Sequence, residues 1–369
     1  MSKKEVLAWY FPNWHPDPRN DKWHGKGWTE WEVAKCARPR FEGHYQPRIP
    51  QWGYGDESDP QVMAGKIAAA KEHGITGFLW DTYWFSDGGY RMKALDEGFF
   101  GAANNEDFKI GLVWCNHDPI YVHPASYLNG CQSLLSAEMD LEDFRSMTDH
   151  FINNYFCRQN YLKIDGKIYF GIYAVQKFAD GLGGVEKAAE AIEDLRKRVR
   201  DAGLGEMYIT GECRNCECAK DKEGINAFFN AFGFDALFRY GWPMDGNSFP
   251  EYDYKEFINE GIATYEGDKK FFDLPVSITI QRGWDSSPRT VQSDMYEPIG
   301  FPFLPVTVGE NTADFGRALR AAKEFSESEE YKCDYITLST WNEWTEGSYL
   351  EPDDKFGYGF LEEIKKVFG

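Results

Sequence analysis

The sequence predicts a (β/α)8 barrel occupying residues 1–369 as one domain, with long Trp- and Tyr-rich βα-loops over its C-terminal face. Three observations carry this. Short apolar runs recur eight times, helix-like stretches with apolar residues three and four apart lie between them, and no low-complexity tract divides the chain. Near-continuously apolar strands alternating with helices argue for a parallel sheet covered by helices. The rival is a doubly wound open sheet. It usually carries a Gly-rich phosphate turn after its first strand, and FPNWHPDPRNDKWHGKGW has no G-x-G-x-x-G.

The expected strands are EVLAWYFP (5–12), TGFLWDTYWF (76–85), KIGLVWCN (109–116) and KIYFGIYA (167–174). The second half continues with EMYITGEC (206–213), FDALFRYGW (234–242), LPVSITIQ (274–281) and DYITLSTWN (334–342). Between them, DPQVMAGKIAAAKEHG opens on an acidic cap and Pro60 and stops at Gly74, a helix with both ends signalled. GVEKAAEAIEDLRKRVRDAG and TADFGRALRAAKEFSES behave likewise, and the helix after the third strand starts late, near SAEMDLEDF. Residues 13–58 are too long for an idle connection and too aromatic for a disordered linker, so they are expected to fold over the barrel mouth.

Composition narrows the function. A net charge of −20 argues against nucleic acid and anionic membranes as partners, since both need a positive footprint. It also argues against a polyanionic substrate unless basic residues gather in the site. No apolar run is long enough to span a bilayer, and MSKKEVLAWYFPNW reads as a first strand with no signal peptide. As written the chain is expected in the cytoplasm; a periplasmic or secreted protein trimmed of its leader would begin the same way. Thirteen tryptophans within 17% aromatic content fit either a Trp-rich core or a surface that stacks on sugar faces.

Five of the eight cysteines are scattered and read as buried or idle thiols. Cys213, Cys216 and Cys218 cluster, but no second C-x-x-C or histidine pair completes a zinc site, so no metal and no cofactor is expected.

In this fold the chemistry sits where strands end and βα-loops begin. TWNEWTEG follows the eighth strand and puts Glu343 and Glu346 three residues apart on an exposed turn, framed by Trp341 and Trp344. Asp81, Asp118, Glu212, Asp245 and Asp285 also stand at strand ends, so position alone does not choose the catalytic pair. His117 is expected to face the site as a donor to a sugar hydroxyl or an acidic sugar, the alternative being a hydrogen-bonded packing residue.

YFPNWHPDPRNDKWHGKGWTEWEVAKCARPRFEGHYQPRIP closely resembles the opening of the WbsX-like proteins, a branch related to glycoside hydrolase family 99. The resemblance continues, in order, through GITGFLWDTYWF, LKIDGKIYFGIY, GWDSSPR and WNEWTEGSYLEPD. It implies a (β/α)8 barrel, a metal-independent site and a glycan substrate. Characterised family 99 enzymes are retaining, endo-acting α-mannosidases and mannanases, whereas WbsX-like relatives accompany polysaccharide assembly genes and were once thought to be glycosyltransferases.

Carried over residue by residue, the family's two glutamates fall on Glu343 and Glu346. The resemblance implies that Glu343 acts as base on the sugar's own 2-hydroxyl, whose oxygen attacks C1, and that Glu346 is the general acid and then the base toward water. Such a division suits two acids on one short turn, which reach O2 and the glycosidic oxygen more easily than opposite faces of a ring. Trp341 and Trp344 are expected to wall the subsite and Asn342 to hold the 2-hydroxyl or orient Glu343. The rest of the expected substrate-binding set is Trp14, His15, Trp28 and Glu30 on the first loop, with Tyr83 and Trp84 after strand two. Trp114, Asn116 and His117 after strand three complete it, with Trp284 and Asp285 after strand seven. Two departures from the family pattern, Thr82 where relatives have His and His117 where they have Glu, mean that mannose is not carried over. The readings are then a retaining glycoside hydrolase, a glycosyltransferase or transglycosidase in polysaccharide assembly, or a non-catalytic carbohydrate-binding protein.

Overall fold

Eight parallel strands and their covering helices form the framework, seen in a computed structural model that describes residues 4–214, 216–244 and 248–369. The strands are β1 (Glu5–Tyr10), β2 (Gly77–Phe85), β3 (Lys109–Trp114) and β4 (Lys167–Ile172), then β5 (Met207–Glu212), β6 (Ala236–Phe238), β7 (Thr279–Gln281) and β8 (Tyr335–Ser339). The ladder runs β7-β8-β1-β2-β3-β4-β5-β6, and the circle closes between β6 and β7 through one bridge, Leu237 to Val276. There the Leu237 N–H donates to the Pro275 carbonyl at 2.7 Å and the Ser277 N–H to the Leu237 carbonyl at 2.9 Å. This thin seam shortens β6 and β7 well inside the expected 234–242 and 274–281, because a strand needs continuous ladder partners and these two have them on one side only. Trp242 reinforces the seam, its backbone N–H donating to the Gln281 side chain at 2.7 Å and its indole to the Thr279 carbonyl at 2.8 Å.

Period-two alternation sorts the strand residues between lumen and helices. Tyr169, Tyr208 and Tyr335 come from strands that are not all neighbours, yet their rings lie 5.7–6.4 Å apart, so they fill the lumen. Trp9 points inward, 5.1 Å from the rings of Phe238 and Tyr240, while Tyr10 points outward onto Trp80 at 4.1 Å. Outside, the helix Pro60–Glu72 starts as expected, with the Asp59 carboxylate accepting from the Gln61 N–H at 2.8 Å. The helices Val185–Asp201, Thr312–Glu327 and the late Leu141–Phe151 also match their patterns. Among the described residues no helix is long and apolar enough to cross a membrane.

The segment 13–58 contains the short helices Pro18–His24 and Trp31–Cys36 and packs on the C-terminal end of the barrel. Trp14 lies 4.0 Å from Trp31, whose indole donates to the Gly55 carbonyl at 2.9 Å. Together with Phe11, Tyr83, Tyr90, Trp344 and Tyr349 they make a second apolar cluster above the barrel core. Each buried ring of this kind contributes about 2 kcal/mol, enough to hold a long loop in place.

Candidate active site

The turn after β8 is built by its own side chains. The Thr340 hydroxyl accepts from the Glu343 N–H at 2.9 Å and donates to the Ser348 carbonyl. Asn342 clamps Phe11 of the neighbouring loop, accepting from its N–H at 2.8 Å and donating to its carbonyl at 2.9 Å. A 3-10 turn, Trp344–Glu346, then carries the second acid over Gly347. Gly347 adopts φ +63°, and a Cβ there would meet the Asp285 Cβ at 2.7 Å, so this turn tolerates only glycine. The approach is tight because the Asp285 N–H donates to the Glu346 carbonyl at 2.6 Å, which ties the loop after β7 to the loop after β8.

That tie delivers Arg289 to the acids. Its guanidinium donates to Glu346, to Glu343 at 3.2 Å and to Glu30 at 3.0 Å. One cation therefore bridges three carboxylates, two from the turn after β8 and one from the first loop. Glu30 also accepts from Asn13 at 2.5 Å and from the Thr345 hydroxyl, and His123 Nε2 lies 3.2 Å away. Burial would raise the Glu30 pKa, but His123 and Arg289 outweigh it and hold the carboxyl well below its usual range.

Glu343 and Glu346 are 5% and 7% exposed, which corrects the expectation of solvated acids on a loop. The first-loop helices and the loop after β7 cover the turn, something strand-end position could not reveal. Burial raises both pKa values against the pull of Arg289, and Glu346 rises further because Glu343 and Glu30 repel its charge. Glu343 has in addition the Tyr240 hydroxyl 2.8 Å from Oε2. That same hydroxyl lies 2.9 Å from Asp81 Oδ2. A phenol has one proton to give. Tyr240 therefore serves one acid at a time, and burial and the Glu343 charge push the Asp81 carboxyl well above its usual range. The site is thus graded, with Glu343 the more readily ionised acid and Glu346 the one more firmly held neutral.

These groups face a cavity of about 510 Å3 at the barrel mouth. Of the expected residues, Tyr83, His117 and Trp284 line it beside Glu343 and Glu346. His117 has its pKa lowered by burial and its Nδ1 is 3.2 Å from the Asp118 carbonyl. Trp28 stands behind the wall, 4.2 Å from His24 and 5.5 Å from His123, both of which line the cavity.

The other expected residues lie outside it. Trp341 is in the barrel core 5.2 Å from Phe78, and Trp344 stacks on Tyr349 at 3.8 Å and donates to Glu351 at 2.8 Å. Trp84 and Trp114 fall on the outward side of their strands against Phe151 and Phe144. Asn116 pins the loop after β4 through Ala174, donating at 2.9 Å and accepting at 2.7 Å, and His15 contacts the Arg91 carbonyl at 3.2 Å. Trp14 belongs to the apolar cluster, and Glu30 and Asn342 hold their partners as described. Asp285 accepts from His44 at 2.8 Å and from Gln46 at 2.6 Å, and against the effect of burial His44 and Arg48 lower its pKa.

Among the remaining strand-end acids, Glu212 pairs with Arg214 and Asp118 with Lys177, whereas Asp245 lies outside the described residues. Cys216 and Cys218 are 3.7 Å apart at sulfur and Cys213 is buried; all eight thiols are free. Sequence reasoning missed Arg289 and Tyr240. The first closes the GWDSSPR string and the second ends the sixth apolar run, so both carried a positional signal.

The architecture is that of a (β/α)8 barrel, with two buried acids on the turn after its last strand. The chain belongs to the WbsX glycosyltransferase family, whose pattern matches residues 6–364. The protein WxcX of Xanthomonas campestris pv. campestris strain B100, itself uncharacterized, is 26% identical over 380 residues, covering 98% of this chain and 49% of that one. This chain therefore spans about half the length of the curated relatives it matches. Among solved structures, the GH99 endo-alpha-mannosidase from Bacteroides thetaiotaomicron superposes with a TM-score of 0.56 at 15% identity, over 99% of this chain and 96% of the other. A glycoside hydrolase-like protein gives 0.61 at 17% identity, over 100% and 94%. At such identities the likeness is one of fold.

Proposed function

We propose that this chain is a retaining glycoside hydrolase that cleaves an oligosaccharide or polysaccharide through the substrate's own 2-hydroxyl. The observation that carries the reading is the graded pair on one guanidinium, Glu343 hydrogen-bonded by Tyr240 and Glu346 held more strongly neutral. Ionised Glu343 takes the proton from O2 as O2 attacks C1, while neutral Glu346 protonates the departing glycosidic oxygen. The 1,2-anhydro sugar so formed is then opened at C1 by a water that Glu346, now ionised, deprotonates, and Glu343 returns its proton to O2. Arg289 orients both carboxylates and offsets their negative charge, a role that the fixed guanidinium fork suits.

A transferase reading has one observation in its favour, the glycosyltransferase description of the family. The chemistry differs only in the group that opens the anhydro sugar, a second sugar hydroxyl in place of water. Both readings are tested by incubating the protein with bacterial, plant and fungal glycans and identifying the products by mass. Free reducing ends that vanish with Glu346→Gln support the hydrolase, longer products support the transferase, and glycans left intact across the panel refute both.

A further inference from the structure

The cavity wall is far richer in cations than the acidic protein as a whole. Against the net charge of −20, Arg91, Arg214 and Arg289 line it, facing the acids Asp81, Glu343 and Glu346. Two of these arginines are committed, Arg289 to its three carboxylates and Arg214 to Glu212 at 2.6 Å. Arg91 is not. It is 7% exposed, and among the described residues no carboxylate comes within 4.0 Å of its guanidinium. Its Nε has no hydrogen-bond partner.

In place of a contacting counter-ion Arg91 has aromatic faces, with the Glu30 charge acting on it from farther away. The guanidinium carbon lies 4.6 Å from the Tyr83 ring centroid, 4.5 Å from Tyr90 and 5.1 Å from Phe11. Such contacts orient the fork without neutralising it. The Tyr90 hydroxyl, which donates to Asn20 at 2.6 Å, adds a polar contact. The backbone is fixed as well, with φ +62° and the N–H donating to the Asp17 carboxylate at 3.1 Å. A left-handed arginine is an uncommon backbone state, and a buried guanidinium without a contacting carboxylate is a ready partner for a ligand that brings the anion.

The surroundings fit that ligand. His24, His117 and His123 line the same cavity and feel the Arg91 charge, which adds to burial in lowering their pKa values, His24 to about 4. Their lowered pKa values limit repulsion of the arginine, and each imidazole can offer an N–H to a ligand. We propose that Arg91 is the anion-binding residue of a subsite in this cavity, and that the glycan it accepts carries an anionic substituent, a uronate carboxylate or a sulfate ester. This rests on reading the cavity as a glycan site. Composition argues against acidic substrates only while basic residues stay out of the site, and here they are gathered in it.

The test is calorimetric titration of the full chain carrying Glu346→Gln, with methyl glucuronide, methyl galacturonide and galactose 6-sulfate against methyl glucoside and methyl galactoside. At least one anionic probe should bind about tenfold or more tightly than its neutral parent, the usual scale of a charge-assisted pair. The preferred probe distinguishes carboxylate from sulfate. The preference should weaken with added salt, disappear in Arg91→Met and survive in part in Arg91→Lys, which retains charge without the fork. If Arg91→Met melts early, a several-fold loss in Arg91→Lys decides in its place. No anionic binding, equal binding of neutral and anionic probes, or a preference indifferent to Arg91 would overturn the proposal. Because binding is read without turnover, each of these outcomes leaves the hydrolase reading open, and an inactive enzyme leaves this one open.

Discussion

Arg289 Nη2 lies 3.2 Å from Glu343 Oε1, close enough to lower the pKa of a carboxyl that burial raises. Its charge lowers Glu346 as well. Arg289→Gln should therefore raise both pKa values further. The acid limb of the kcat/KM profile, set by ionisation of Glu343, should move to higher pH, and the basic limb, set by loss of the Glu346 proton, should follow it. Profiles of wild type and variant check this, and an unmoved acid limb would show that Arg289 does not tune the pair.

Glu343→Gln and Glu346→Gln should each lower turnover by at least ~100-fold, the scale of general acid–base groups. Because both acids are buried partners of Arg289, each exchange also leaves a changed hydrogen bond inside the site. Melting temperatures must accompany the rates, and near-normal turnover in either folded variant removes that residue from the mechanism.

Asp81 and Tyr240 should behave differently from each other. Burial favours the neutral form of Asp81, which asparagine mimics, so Asp81→Asn should keep most of the activity. Tyr240→Phe takes the donor from Glu343 and should cost roughly tenfold or more, with the acid limb displaced upward. A severe Asp81→Asn defect would mean that Asp81 works as an ionised group.

If the 2-hydroxyl is the nucleophile, an activated 2-deoxy-2-fluoro glycoside should be inert and leave no adduct. An ordinary retaining enzyme would trap its glycosyl intermediate on a carboxylate. Intact mass after incubation separates the two, and an adduct mapping to Glu343, Glu346 or Asp81 refutes the neighbouring-group route while leaving hydrolysis in place.

A stability prediction comes from beneath the site. Lys66 is buried between Glu57 and Glu351, and Glu57 accepts from Asn342 at 2.8 Å. Burial, with Glu351 adding to it, pushes the Glu57 pKa up to about 7 from 4.5. The folded state then holds a proton that the unfolded state releases. The stabilisation from this group is full below pH 4.5 and is lost as pH rises toward 7. Lys66→Met leaves two buried acids uncompensated and should cost about 3–5 kcal/mol at neutral pH, less in acid. Denaturant unfolding at both pH values measures it, and an equal loss at each would argue against the raised Glu57 pKa.

All eight strands were legible because each is a run of apolar residues, buried on both sides of the sheet. Their ends were less so. Residues 239–242 look like strand, yet with no ladder partner across the seam the chain turns and Tyr240 swings over the lumen. The tryptophans misled for a related reason. Trp84 and Trp114 sit one residue away in phase from the mouth, and Trp341 and Trp344 carry the turn on their own packing. Strand-end position does not tell a ring that lines a cavity from one that supports its wall. Arg289 and Arg91 were harder, since what matters in each is its set of partners, and those come from loops far apart in sequence.

The single bridge between β6 and β7 has a mechanical consequence. A stave joined at one point parts before those pinned along their length, so amide protons of Leu237 and Ser277 should exchange faster than their counterparts in β2 or β3. Tyr240 emerges on one side of this joint, Trp284 and Arg289 on the other. Slight parting there would shift the two halves of the mouth against each other, so the cavity is hinged at this seam rather than rigid all round.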